Sequence, residues 1–149
     1  MAHWLLKSEP ETWSFAHQQE AGPDGTFWNG VRNHSAKRCL TAMRVGEQCF
    51  FYHSGDERAV VGIVAVTKAY YPDHTDATGK FGMVDVRAVR PLSPVTLDRI
   101  KGEPRLAEMV LVKNSRLSVQ PVTDAEWAIV LQMAGQSAVR GIQRSCFTW

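Results

Sequence analysis

Long apolar runs are scarce in this 149-residue chain. Uncharged stretches such as Ala59 to Thr67 fall far short of the ~20 residues that a spanning helix needs. In the opening MAHWLLKSEPE, acids follow directly on the few apolar residues. Neither a membrane span nor an export signal is expected. Cysteine is equally sparse: Cys39, Cys49 and Cys146 are odd in number and form no CxxC pair. That usage suits free, mostly packed thiols in a reducing compartment, so a cytoplasmic location is expected. The eleven glycines are scattered and build neither a phosphate loop nor a dinucleotide fingerprint, and no cofactor is expected.

Catalytic constellations are also wanting. His53 stands beside Ser54 in FYHSG, but Tyr52 occupies the place where a nucleophile elbow needs glycine. Neighbouring side chains on a strand leave opposite faces, so His53 is badly placed to activate Ser54. Asp73, His74 and Asp76 crowd one turn, YPDHTD, a spacing that matches no common zinc or calcium site; turn and capping roles explain them more simply. No metal is expected, and no pair of carboxylates is spaced for acid–base work.

What is present has the size and composition of one ordinary soluble domain, with 44% hydrophobic and 21% charged residues. HWLLK reads as a short buried strand, SEPETW as a turn, and Ser14 to Glu20 as a short helix. A helix is expected at about Ser35 to Arg44, with Ala36, Cys39, Leu40 and Met43 on one face and Lys37, Arg38, Thr41 and Arg44 on the other. EQCFFYHS, AVVGIVAVTKAY and FGMVDVRAV read as strands, and RLSVQPV as extended chain. Thr96 starts a short helix with Val95 and Ile100 as a staple. Thr123 and Glu126 form the capping box of another, with Val122 and Trp127 stapled and Gly135 as its stop. An α+β domain follows: a small, strongly bent sheet or barrel with helices at its ends and a ligand pocket at one mouth.

Charge is uneven. The net value is only +2, yet no Asp or Glu falls between Gly25 and Gly46, where Arg32, Lys37, Arg38 and Arg44 stand; another acid-free segment carries Arg140 and Arg144. A phosphate-binding patch and a plain solvated face are both compatible with this pattern. Near it stand amphipathic residues at loops and strand ends: Trp28, Asn33, His34, Phe51, Tyr52, His53, Ser54, Asn114, Ser115 and Arg116. Aromatic planes beside amides, hydroxyls and a guanidinium can stack a nucleobase and read its edge. Each also has an ordinary reading: one of Phe50 and Phe51 faces the core, and Asn33 caps the helix that follows it.

The strings WLLKSEP, WNGVRN, GEQCFFYHS, VVGIVAV, YPD, VDVRAV and RLSVQPVT followed by EW, in this order over residues 2 to 135, resemble an EVE domain of the PUA-like superfamily; residues 136 to 149 form a tail outside the likeness. The resemblance implies a mixed β pseudo-barrel of five or six strands flanked by helices. It also implies a non-catalytic reader whose partner is DNA or RNA carrying modified bases. Matched position by position, Trp28 would form one face of a base pocket and Asn33 would read polar atoms. Tyr52, His53 and Ser54 would supply a second wall, and Lys7, Ser8, Glu9, Pro10, Ser115, Arg116, Leu117 and Ser118 would close the site. Arg32, Lys37, Arg38 and Arg44 would meet phosphates. His34 stands where the family tends to carry an aromatic. Two alternatives stay open: a hydrolase of modified nucleosides like ASCH relatives, for which Lys7 and Glu9 offer two residue types but no threonine is evident beside them, and a small-anion or protein interaction module.

Overall fold

Phe50 and Phe51 are neighbours on one strand, and both are completely buried. Side chains i and i+1 of a strand leave opposite faces, so this sheet must be covered on both sides. The structure, a computed structural model, describes residues 2–135. Its strands are β1 (His3–Ser8), β2 (Thr26–Trp28), β3 (Gln48–His53), β4 (Ala59–Pro72), β5 (Gly82–Thr96) and β6 (Val119–Val122). The helices are α1 (Phe15–Glu20), α2 (His34–Ala42), α3 (Leu97–Lys101), α4 (Val110–Lys113) and α5 (Asp124–Met133), with a 3-10 turn at Pro104–Leu106. Arg140, Arg144, Phe147 and Trp149 lie outside the described residues.

One core joins Trp4, Leu6 and Phe51 to Phe15 of α1 and to Ala36, Leu40 and Met43 around α2. The other joins Leu5, Phe50 and Ile63 to Leu97 and Ile100 of α3 and to Trp127, Val130 and Leu131 of α5. The caps read from sequence hold: Thr96 accepts from Arg99 N, and Thr123 and Glu126 form a reciprocal capping box. Trp127 stacks on Phe50 at 3.9 Å between ring centroids, which fixes α5 against the sheet.

The strands form a single mixed sheet in the order β2-β5-β4-β3-β1-β6. β1 and β3 run parallel, while β3, β4 and β5 form antiparallel pairs. The α+β class and the six mixed strands agree with the expectation from sequence, but the sheet is not closed into a barrel: β2 and β6 remain its two edges. Curvature comes instead from register shifts in the β4–β5 ladder, at Val60/Gly62, Ile63/Val64, Val66/Lys68 and Lys68/Tyr71, because each extra residue bends and twists its strand. The segment holding Trp28, expected as a loop, is the edge strand β2, paired to Val84–Val86 of β5. Among the described residues, no helix is long and apolar enough to cross a membrane.

Gly62 shows how closely α1 sits on this curve. A Cβ there would lie 2.4 Å from the Phe15 ring, so Gly62→Ala must push that ring, and α1 with it, off the sheet. The expected cost is about 1–2 kcal/mol, within the overpacking range. Denaturant unfolding should report it as a lower midpoint at an unchanged m-value.

Candidate functional site

Parallel pairing of β1 and β3 brings three distant segments together at one end of the sheet. Lys7 lies opposite Tyr52 and Ser8 opposite His53. Just beyond, Ser54 N–H donates to Ser8 O at 2.9 Å, and Lys7 N–H donates to Ser118 O at 2.9 Å. The Lys7 ammonium donates to Ser115 O. KSEP, FYHS and SRLS therefore converge at the carboxyl ends of two parallel strands, where open sheets commonly place ligands.

The fourth segment comes from the opposite edge. In the strand order, β2 is four places from β1, about 19 Å on a flat sheet. Even so, Thr26, Phe27, Trp28 and Asn29 line one cleft with Lys7, Ser8, Thr12 and Trp13, of about 330 Å³. The curl of the sheet and the crossing of α1, whose Gln18 bonds Val86 O on β5, bring them together. Gly25 sets the approach of β2: its φ is +75°, and a Cβ would lie 2.2 Å from Val86 O, so both backbone conformation and space require glycine.

Two indoles and the exposed Phe27 form the apolar walls, and each indole is held by its own partners. Trp28, 8% exposed, meets Phe51 edge-on at 5.4 Å. Trp13 is half-buried and donates from Nε1 to Gln18 Oε1 at 2.9 Å, while the fully buried Gln18 donates in turn to Val86 O at 3.0 Å. The Ser8 hydroxyl donates to Trp13 O, so β1 fixes the backbone of the Trp13 turn. Polar lining comes from Lys7, Ser8, Thr12, Thr26 and Asn29, with no carboxylate. Burial holds the Lys7 ammonium below its usual pKa, since desolvation disfavours the charged form.

The loop behind Trp28 is tied down by Asp73. This buried carboxylate accepts from Gly30 N and Arg32 Nη1, both at 2.9 Å, and from the N–H and hydroxyl of Thr75. Burial opposes its ionisation, but the bonds from Thr75, Gly30 and Arg32 outweigh that and hold the carboxyl well below the usual carboxylate range. Asp76 is bonded by the Thr78 hydroxyl and the N–H groups of Thr78 and Phe81, which lower it to about 2. YPDHTD is thus a pair of Asx-type turns that braces the 28–33 loop. Among the described residues, no group of His, Cys, Asp and Glu is arranged to hold a metal.

A second concavity of about 310 Å³ adjoins the first across Lys7 and is lined by Tyr52, Ser54, Gly55, Arg58, Leu97, Lys101, Leu111 and Ser115. Of the residues expected in a base pocket, then, Lys7, Ser8 and Trp28 line the indole cleft, and Tyr52, Ser54 and Ser115 line its neighbour together with Lys7. His53 lines neither: Phe15 N–H donates to its Nε2 at 3.0 Å and its Nδ1 meets Glu57 Oε1 at 2.8 Å, so both ring nitrogens serve the α1 N-terminus and the β3–β4 turn. Asn33 caps α2, accepting from Ala36 N at 3.0 Å. Glu9 carries the turn through its carbonyl, which accepts from Thr12 and Trp13. Pro10, Arg116, Leu117 and Ser118 border the site without lining either cavity. Phe51 is wholly core.

The four cations expected at phosphates are largely engaged elsewhere. Arg32 bonds Asp73, Lys37 donates to Lys80 O at 2.6 Å, and Arg38 reaches Ser35 Oγ at 3.1 Å. Arg44 is exposed, and none of the four lines either cavity. His34 lies against Phe81 at 5.0 Å, an aromatic contact on the outer side of α2. Sequence reading missed Trp13, Asn29, Thr12 and Thr26 in the cleft, and Arg58 and Lys101 beside it. SEPETW registers as a turn, and only its position after the KSEP strand end hints that Trp13 turns inward.

Fold and cleft together define an α+β domain with a small, aromatic, carboxylate-free cleft at one end of a curled mixed sheet. The chain belongs to the EVE domain family, whose model matches residues 2–133. It is 39% identical to thymocyte nuclear protein 1 of Gallus gallus, over 88% of this chain and 68% of that protein. Its fold matches the NMR structure of a Rhodopseudomonas palustris protein at 54% identity and a TM-score of 0.85, covering 91% of this chain and 94% of that one. It also matches human THYN1 protein, solved in complex with 5-methylcytosine-containing DNA, at 35% identity and a TM-score of 0.83 over 92% and 99% of the two chains.

Proposed function

We propose that this chain is a nucleic-acid reader that accepts a single modified base between Trp13 and Trp28. The observation that carries the reading is the cleft itself: two braced indoles, uncharged polar groups from Thr12, Thr26 and Asn29, and one ammonium. Its volume, about 330 Å³, lies at the small end of ligand pockets, which favours one base over a dinucleotide. Family membership and the 5-methylcytosine DNA bound by human THYN1 protein support the same reading.

The energetics set what the cleft must do. Stacking contributes about 1–3 kcal/mol per base, close to the few kcal/mol needed to unstack one. A methyl group adds only about 0.8 kcal/mol, near fourfold in affinity. Stronger preference therefore calls for a hydrogen bond to the base edge, and Asn29, a lining residue whose Nδ2 otherwise has only a long 3.5 Å contact to Thr75 Oγ1, is the candidate amide. Binding to matched oligonucleotides with and without 5-methylcytosine, at fixed salt, tests the reading. A preference of fourfold or more supports it, and equal affinity for both sinks it.

One observation favours a second reading. Thr12 and Thr26 share the cleft with Lys7, whose pKa burial lowers, the direction of shift a general base needs. Glu9 is exposed and lies outside that lining. Release of product from acylated or alkylated nucleosides would decide for hydrolysis over reading.

A further inference from the structure

The concavity on the far side of Lys7 has its own chemistry. Lys7, Arg58 and Lys101 line it with the Ser54 and Ser115 segments, and it has no carboxylate in its lining. None of the three cations has an ion-pair partner among the described residues. They arrive from three elements: the end of β1, the β3–β4 turn and the last residue of α3. Arg58 is the one described residue other than glycine with positive φ, +47°, a conformation that is uncommon for side chains of its size. The turn is held there by Leu97 N–H, which donates to Arg58 O at 2.8 Å and so links it to the start of α3. On its other side, Arg58 borders a small groove with Asp56, Glu57 and Asp98. An anion is repelled from that groove and directed towards Lys7.

We propose that this basin seats a phosphate diester of the strand whose base enters the Trp13–Trp28 cleft, with Arg58 and Lys101 as its positioning cations and Lys7 as the post between base and backbone. The proposal rests on the base-reading function above and moves the backbone contact away from α2. Phosphate contacts of this kind set register and affinity without reading sequence.

The test combines Arg58→Asn, which suits the left-handed backbone, with Lys101→Gln on an exposed position. Each phosphate neutralised contributes about 0.7 to the slope of log K against log salt for a single strand, so the double variant, which gives up the one phosphate of the basin, should lose about 0.7. Affinity should fall equally for 5-methylcytosine and unmodified oligonucleotides, leaving their ratio intact. An unchanged slope in the double variant, or a slope that falls only with Arg38→Gln and Arg44→Gln, overturns the basin. Failure of the base reading looks different: the modified-to-unmodified ratio is one in the unaltered chain while the slope still drops. If no oligonucleotide binds, amide shifts on adding deoxycytidine 5′-monophosphate decide. Movement at Gly55, Arg58 and Lys101 that deoxycytidine alone does not cause, and that the double variant loses, upholds the basin, and its absence overturns it.

Discussion

Trp13→Ala is expected to lower affinity for a 5-methylcytosine oligonucleotide by about 5- to 150-fold, the equivalent of 1–3 kcal/mol of lost stacking. The modified-to-unmodified ratio should fall towards one, while the salt dependence stays as it is, because no phosphate contact is removed. Trp13 is the better probe of the two indoles. Trp28 is 8% exposed and belongs to the core beneath α2, so Trp28→Ala would cost about 3–5 kcal/mol of stability before any ligand is added. Trp13 is half-buried, and its turn keeps the Glu9 carbonyl bonds and the Ser8 hydroxyl bond without the indole. Trp13→Phe should recover part of the affinity, since a smaller ring still stacks. Fluorescence anisotropy with paired oligonucleotides measures all three effects. Full affinity with an intact ratio in Trp13→Ala would remove this residue from the site.

Asp73→Ala should remove the main polar tie of the scaffold behind the cleft. It leaves Gly30 N–H without its acceptor, takes the carboxylate from Arg32, and leaves the loop behind Trp28 joined to the β4–β5 connection chiefly by the exposed Arg32–Thr75 bond. Breaking a buried ion pair costs about 3–5 kcal/mol; Arg32 is 39% exposed, so about 3 kcal/mol is expected. For a chain of this length that corresponds to a fall of roughly 6–12 °C in Tm. The pH dependence has a definite sign. Asp73 and Asp76 are both held below the unfolded Asp value of about 3.9. Their stabilisation is fully present above that value and is lost as pH falls through the folded ones, about 2 for Asp76. Acid unfolding should therefore begin below about pH 4, and Asp73→Asn should flatten the stability-against-pH curve in that window. A curve of unchanged steepness between pH 4 and 2 would show that the Asp73 hub does not carry the loop.

Both effects depend on groups of unequal legibility. WLLKSEP, GEQCFFYHS and VVGIVAV declare themselves as strands through β-branched and aromatic content. The helix starts at Asn33, Thr96 and Thr123 follow from capping chemistry that acts within four residues. Asn33 illustrates the limit: the same asparagine suits a cap or a base contact, and only the fold shows that its Oδ1 accepts from Ala36 N as a cap. His53 is parallel, since its ring looks free in sequence and is engaged at both nitrogens in the fold. Arg32 reads as a surface cation until the buried Asp73, 41 residues away, appears beside it.

Local order, the helix caps, the apolar faces and the family likeness are properties of short windows of chain, and the sequence by itself determined them. The composition of the cleft was a different matter. Trp13 and Trp28 belong to segments far apart in the strand order, and they share a pocket because α1 crosses the curled sheet and carries the Trp13 turn to β5, where Gln18 bonds Val86 O. The basin of Lys7, Arg58 and Lys101 likewise depends on a parallel β1–β3 pairing and on one residue with positive φ. Such arrangements are set by packing on two faces of the sheet at once, a long-range balance that no local pattern encodes, and the tertiary structure alone decided them.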